Sequence, residues 1–164
     1  MIAVVSDTSP INYLVQIGLV ELLRELYETV LLPPEVVTEL VSASAPLVVR
    51  EWASDLPSWV LVRQSKPEAR DDPRWRRLDI GERAALAIAD EFGGLLLIDE
   101  RAGCSIAKQN SIRVTGTLGV LDEAARRQLI LLSEAAELLK KTSFRYPAAI
   151  VNRLLAEEKV RTGS

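Results

Sequence analysis

Four acids, Asp7, Glu39, Glu82 and Asp99, stand out among the 23 Asp and Glu residues of this 164-residue chain, because local patterns send all four to one edge of a parallel sheet. Asp7 lies two residues beyond the apolar run that ends at Val5. Asp99 directly follows Leu95-Leu96-Leu97-Ile98, with Glu100 beside it. Glu82 falls in the first turn of the helix that leads into that run, and Glu39 about a turn and a half into the helix after the second strand. Open parallel sheets bind ligands beyond the carboxyl ends of their strands, which is where these acids fall. Carboxylates converging there repel one another unless a cation lies between them. An oxygen-only donor set of this kind suits a hard octahedral ion, Mg²⁺ or Mn²⁺. Such an ion activates water and stabilises the transition state of phosphoryl chemistry. The hydroxyls of Thr8, Ser9, Thr115 and Thr117 stand near the same edge.

Each acid also has a structural role open to it. Asp79 and Glu82 have the spacing of a capping box. Asp99 is placed to cap the helix that follows it, and Glu39 reads equally as a solvated helix acid. Asp7 is harder to assign to structure, because Ser9 is the better cap for the helix beginning at Ser9-Pro10 and a carboxylate at a buried strand end needs a partner.

Composition narrows the chemistry. The chain has no His, which removes Ser-His-Asp and Cys-His nucleophiles, His-ligated zinc and imidazole proton shuttles. One cysteine, Cys104, makes no internal disulfide and points to a reduced intracellular protein. Short apolar runs without a basic leader predict a cytoplasmic protein with no membrane span. With 5% aromatic residues, broad base-stacking platforms are not expected. A net charge of −3 and a pI near 5.2 argue against tight nonspecific binding of nucleic acid. The stretch 63–77 holds Arg63, Lys66, Arg70, Arg74, Arg76 and Arg77 around Trp75. It reads as a solvated loop, or as a rim that contacts phosphates.

Elements able to position these acids alternate along the chain. Strands are predicted at 2–5, 29–32, 59–62, 95–98 and 112–115. Helices are predicted from Ser9, over 19–27, after Pro33-Pro34, after Pro46, over 81–91, 101–109, 116–128, 133–141 and 147–158. Strand-helix alternation at this spacing predicts an α/β fold with a parallel sheet covered on both faces. The length fits a single domain over 1–164, with C-terminal helices at 133–158 and a frayed tail at 159–164.

The ordered set Asp7-Thr8-Ser9-Pro10-Ile11-Asn12, Pro33-Pro34-Glu35-Val36-Val37-Thr38-Glu39-Leu40, Gly81-Glu82-Arg83-Ala84-Ala85, Leu97-Ile98-Asp99-Glu100 and Val114-Thr115-Gly116-Thr117-Leu118-Gly119-Val120-Leu121 resembles the PIN-domain superfamily. More narrowly, it resembles the VapC-like toxins whose members begin with a D-T-S-P-L-I pattern. The likeness is strongest over 1–132. It implies a three-layer α/β/α sandwich with a central parallel sheet and Mg²⁺- or Mn²⁺-dependent endoribonuclease activity. It further implies RNA as substrate, a homodimer, and often a small antitoxin partner. Matched by position, Asp7, Glu39, Glu82 and Asp99 are the metal-holding acids, with Glu100 as the alternative to Asp99. A catalytically inactive interaction module with the same fold is the other reading. For it the apolar residues Leu138, Leu139, Ile150, Val151, Leu154 and Leu155 offer either a private core or an interface.

Overall fold

The computed structural model describes residues 2–163. Five short strands, β1 (Val4–Ser6), β2 (Val30–Leu32), β3 (Val60–Val62), β4 (Leu95–Leu97) and β5 (Arg113–Thr115), form one sheet in the order β3-β2-β1-β4-β5, and every pairing is parallel. Helices α1 (Thr8–Gln16), α2 (Leu22–Tyr27), α3 (Pro34–Leu40), α4 (Leu47–Ser54), α5 (Pro67–Arg70), α6 (Ile80–Phe92) and α7 (Arg101–Gln109) connect the strands. The result is the predicted α/β/α sandwich with a central parallel sheet. By packing, the chain forms two compact units, Met1–Thr117 and Leu118–Ser164.

Chain order makes the acidic edge. The first three strands run outward from β1 to β3, and the chain then returns to lay β4 on the other side of β1. Strand order therefore reverses between β1 and β4, and the crevice at such a reversal opens beyond the strands' carboxyl ends. Register fixes the geometry there, with Ser6 opposite Leu97 and Val5 opposite both Leu31 and Leu96. The Asp7 amide extends the ladder by one bond, donating to the Leu97 carbonyl at 2.9 Å.

The first unit is held by aliphatic packing, as the low aromatic content requires. Val5, Leu96 and Ile98 from the sheet meet Ala85, Leu86, Ile88 and Ala89 of α6 and Ile106 of α7. The alanines let α6 lie close to the strands. Ile11 and Leu14 of α1, Leu23 of α2, and Val36 and Leu40 of α3 are also fully buried.

Several boundaries differ from the sequence reading. Helix α1 starts at Thr8 with Asp7 as its N-cap residue, so Ser9 and Pro10 lie inside the first turn. The stretch 63–78 is an ordered arm of α5 and a 3₁₀ turn at Pro73–Trp75, not a loose loop. Trp75 is 2% exposed within the core, so its indole cannot stack on a base. Four of the six cations in this stretch are engaged internally, and Arg76 and Arg77 are exposed. Arg70 pairs with Asp71 at 2.9 Å and with Glu35 at 3.5 Å, Arg74 with Asp72 at 2.7 Å, Lys66 with Glu91 at 3.5 Å, and Arg63 lies over the Phe92 ring.

Helix α8 (Thr117–Arg126) begins at the last residue of the first unit and runs into the second, which continues with α9 (Leu132–Lys140) and α10 (Ala148–Thr162) packed on each other. Helix α10 continues through 159–162, where a frayed tail was expected; Ser164 lies outside the described residues. Residue Leu131 precedes α9 and cannot cap it. The buried Glu158 of α10 does so instead, accepting from the Leu132 and Ser133 amides at 2.6 and 3.2 Å. Leu139, Val151 and Leu154 are buried, whereas Leu138 and Ile150 are exposed, so the apolar positions of these helices divide between core and surface. Among the described residues, no helix is long and apolar enough to cross a membrane.

The close approach of β4 to β1 depends on Gly94, where a Cβ would press directly on the Ala3 carbonyl oxygen that accepts the Leu95 amide. Gly94→Ala should cost about 1–3 kcal/mol of stability through overpacking against backbone. Urea denaturation checks this, and a loss below about 0.5 kcal/mol, the range of indifferent surface changes, would show that the junction is looser than drawn.

Candidate active site

Asp7 sits where β1 becomes α1. Its backbone is clamped by the bond to Leu97 and by the Ser6 hydroxyl, which donates to the Asp7 carbonyl at 2.8 Å. The residue is 5% exposed. Burial pushes its carboxyl up to about 8, the carboxylates of Glu82, Asp79 and Glu39 push the same way, and the Thr8 amide opposes them. A carboxyl in this position is largely neutral at pH 7 unless a cation joins it.

Glu39 reaches this edge from α3. Its Oε2 accepts a bond from the Thr8 hydroxyl at 2.7 Å, which ties α3 to the start of α1. Gly81 makes room on the other side, for a Cβ there would lie 2.9 Å from Glu39 Oε1 and 3.5 Å from Asp79 Oδ1. Glu82 stands in the first turn of α6 and is 8% exposed. It does form the capping box: its amide donates to Asp79 Oδ1 at 2.8 Å, and the Asp79 amide donates to Glu82 Oε2 at 3.2 Å. Burial, then Asp79 and Glu100, push the Glu82 carboxyl up to about 7, with the Asp79 amide acting against them. The structural and the functional readings of Glu82 are therefore compatible, since the cap holds the acid at the edge where Asp7 feels its charge.

Asp99 is held differently. Its Oδ1 accepts the Thr117 amide and its Oδ2 the Thr117 hydroxyl, both at 2.7 Å, and a Cβ on Gly116 would come within 2.6 Å of Oδ1. Burial raises its carboxyl while both Thr117 bonds lower it. The cap of α7 expected from Asp99 is instead Glu100, which accepts from the Ala102 and Gly103 amides at 3.0 and 2.7 Å. Asp7, Glu39 and Glu82 thus share one electrostatic neighbourhood, whereas Asp99 is anchored to the first residue of α8. Among the described residues, no three such side chains stand close enough together to hold one metal ion as they are arranged.

Beside the acids lies a groove of about 420 Å³, lined by Thr8, Asn12, Glu39, Ser42, Ser44 and Asp79 with Leu40, Ala45 and Pro46 as its apolar wall. Sequence reading took Asp79 only as a cap and passed over Asn12, Ser42 and Ser44. Asn12 carried a signal, because it stands four residues after Thr8 on one helical face. The serines carried none, since a Ser-Ala-Ser turn between helices is ordinary connecting sequence.

The reversal in strand order and the buried acids gathered at it define an α/β/α domain with an oxygen-only, acid-lined site. A family model of the PIN domain matches residues 3–159, and the chain belongs to that family. No curated protein and no solved structure matches it. PIN domains are commonly nucleases and typically use divalent metal ions. The donor set fits such an ion in kind: it is all oxygen, rich in acid and depleted of counter-charge.

The raised carboxyl of Asp7 has a defined consequence for stability. A folded-state value near 8 against an ordinary 3.8 means that the folded state holds the proton more tightly, so the contribution is full below about pH 4 and is lost as pH rises through about 8. Asp7→Asn removes that loss. In divalent-free buffer at pH 8 the variant should be more stable than wild type by about 1–3 kcal/mol, a Tm higher by about 3–8 °C, and the gap should close near pH 4. Thermal scans across pH check this, and a variant less stable at every pH would refute it.

Proposed function

We propose that this chain is a divalent-metal-dependent endoribonuclease that hydrolyses RNA phosphodiester bonds. The observation that carries the reading is the Asp7 carboxyl, buried at the strand-order reversal with Glu39, Glu82 and Asp79 all raising it, a placement that only a cation makes favourable for the ionised form. Asp7, Glu39, Glu82 and Asp99 would hold a Mg²⁺ or Mn²⁺ ion, with Glu100 as the alternative to Asp99. When bound, the ion supplies charge neutralisation at the phosphate and a water of lowered pKa. The chain's own residues position the acids: Thr8 orients Glu39, Asp79 fixes Glu82 through the capping box, and Thr117 fixes Asp99 at two points. Such outer partners orient metal ligands and are costly to lose. No side chain of this His-free chain stands out as a general base, so in this reading Asp7 would serve as a ligand and activation of water would fall to the ion.

The resemblance to VapC-like toxins extends the proposal to a toxin held in check by a small antitoxin and acting as a homodimer. A second reading, a PIN-like interaction module without turnover, is favoured by one observation: Asp99 and Glu100 are both already engaged at helix starts and the acids do not close around a common point.

Incubation of a labelled mixed-sequence RNA set with the purified protein separates the two. Cleavage should appear with Mn²⁺ or Mg²⁺ and vanish with EDTA. It should fall at least about 100-fold in Asp7→Asn, whose fold the thermal scans verify. Intact RNA under all conditions, together with no Mn²⁺ binding by calorimetry, would establish the interaction module.

A further inference from the structure

The groove beside the acids has a lining unlike that of a phosphate-binding surface. No Lys or Arg contributes to it, while two carboxylates, Glu39 and Asp79, do. Arg50 donates its Nε to the Ala45 carbonyl at 3.1 Å, and on the arm at 63–78 Arg63, Lys66, Arg70 and Arg74 are engaged with Phe92, Glu91, Asp71, Glu35 and Asp72. Within the groove lining a nucleic-acid backbone therefore meets no cation, and backbone contact is what makes most nucleic-acid binding tight and salt-dependent. What the groove offers is hydrogen bonding without cations. Asn12 presents an amide donor, its Oδ1 accepting from Gln16 Nε2 at 3.1 Å, and Ser42 and Ser44 present hydroxyls hydrogen-bonded to each other at 2.9 Å. Asp79 presents a carboxylate whose Oδ1 is committed to the Glu82 amide. Ala45 and Pro46 give one wall an apolar face against which a planar ring can lie. At about 420 Å³ the space is at the small end of sites for drug-sized ligands, enough for one nucleoside and too small for a duplex.

We propose that this groove is a nucleoside subsite that seats one unstacked nucleotide of single-stranded RNA beside the acidic edge and reads it by its base edge and ribose rather than by its phosphates. Acceptor-rich walls select donors. Cytosine, adenine and guanine each carry an exocyclic amino group with two N–H donors that a carboxylate can accept from, whereas uracil offers only its single ring N3–H. Asp79 is the acid free of the proposed metal set and placed to make that choice, and Ser42, Ser44 and Asn12 hold the rest of the nucleoside. Recognition of splayed-out single-stranded bases through their edges is the general mode for RNA. The subsite deepens the nuclease reading and rests on it for its biological use, but its occupancy requires no cleavage.

Neutral nucleosides in EDTA are the probe, because they remove phosphate and metal from the measurement. Cytidine, adenosine and uridine are titrated into the full chain, and the amide resonances of Asn12, Ser42 and Ser44 are followed by ¹⁵N NMR. Cytidine and adenosine should shift those resonances saturably and bind at least about fivefold more tightly than uridine. Asp79→Asn retains a good N-cap, so the fold is kept while the carboxylate is lost. It should reduce the preference over uridine to below about twofold, and Ser44→Ala should weaken all three. Equal binding of cytidine and uridine, shifts confined to other surfaces, or no shift up to the solubility limit would overturn the proposal. Selective nucleoside binding without RNA cleavage would leave the subsite standing and reject the nuclease. Metal-dependent cleavage without nucleoside binding or base preference would do the reverse.

Discussion

The placement of Asp7 is the constraint on which the rest of the first unit depends. Its amide is the last rung joining β1 to β4, so the backbone cannot move without opening the centre of the sheet. Its carboxyl is consequently held in a buried position that it would not choose in water, among acids that worsen its situation. An apolar or amide side chain would serve the fold better at this point, and stability alone does not account for an aspartate there. Surrounding structure absorbs the cost by over-determining the site: the Ser6 hydroxyl on the Asp7 carbonyl, the Thr8 hydroxyl on Glu39, and the capping box on Glu82 each remove a way for the acids to separate.

Much of this arrangement was legible in the sequence because it depends on strong local signals. Continuous apolar runs such as Leu95-Leu96-Leu97-Ile98 mark strands buried on both faces, and the Asp79-to-Glu82 spacing marked the start of α6. Alternation then gave the parallel sheet, and the sheet gave the edge where acids matter. What escaped was long-range partnering. Asp99 and Glu100 are adjacent acids after the same strand, and local sequence cannot tell which caps α7. The structure gives that cap to Glu100 and binds Asp99 to Thr117, eighteen positions away. The cap of α9 by Glu158 was illegible for the same reason, being set by a helix that comes later in the chain.

Residues 63–78 show how composition misleads when tertiary pairing is unknown. Arginine clusters with an interleaved tryptophan read as a nucleic-acid rim, and proline with high charge reads as loop. Here Arg70 and Arg74 find Asp71 and Asp72 within two positions, and those short-range pairs hold the guanidinium groups charged and their acids low. Exposed pairs of this kind add little stability. Their effect is to cancel charge locally, which leaves Trp75 free to be buried for its apolar area, close to α6.

That cancellation bears on how an acidic protein would meet a polyanion. With a net charge of −3 over the whole chain, acids at the strand-order reversal and Arg70 and Arg74 paired with acids, the overall field does not favour steering of RNA. In the proposed function attraction would be local, from a divalent ion neutralising phosphate at the acids and from hydrogen bonds to base and ribose in the groove beside them. A site built this way would discriminate through the few groups it touches. Affinity that comes from edges rather than from charge falls less steeply with salt than backbone binding does. Selectivity in such a site is set by which donors and acceptors are left unpaired when the wrong base enters, and an unpaired buried acceptor is costly. Burial first and neighbouring acids second make Asp7 hard to ionise, and the same cation-poor lining would suit a narrow reader of single nucleotides better than a general binder of RNA.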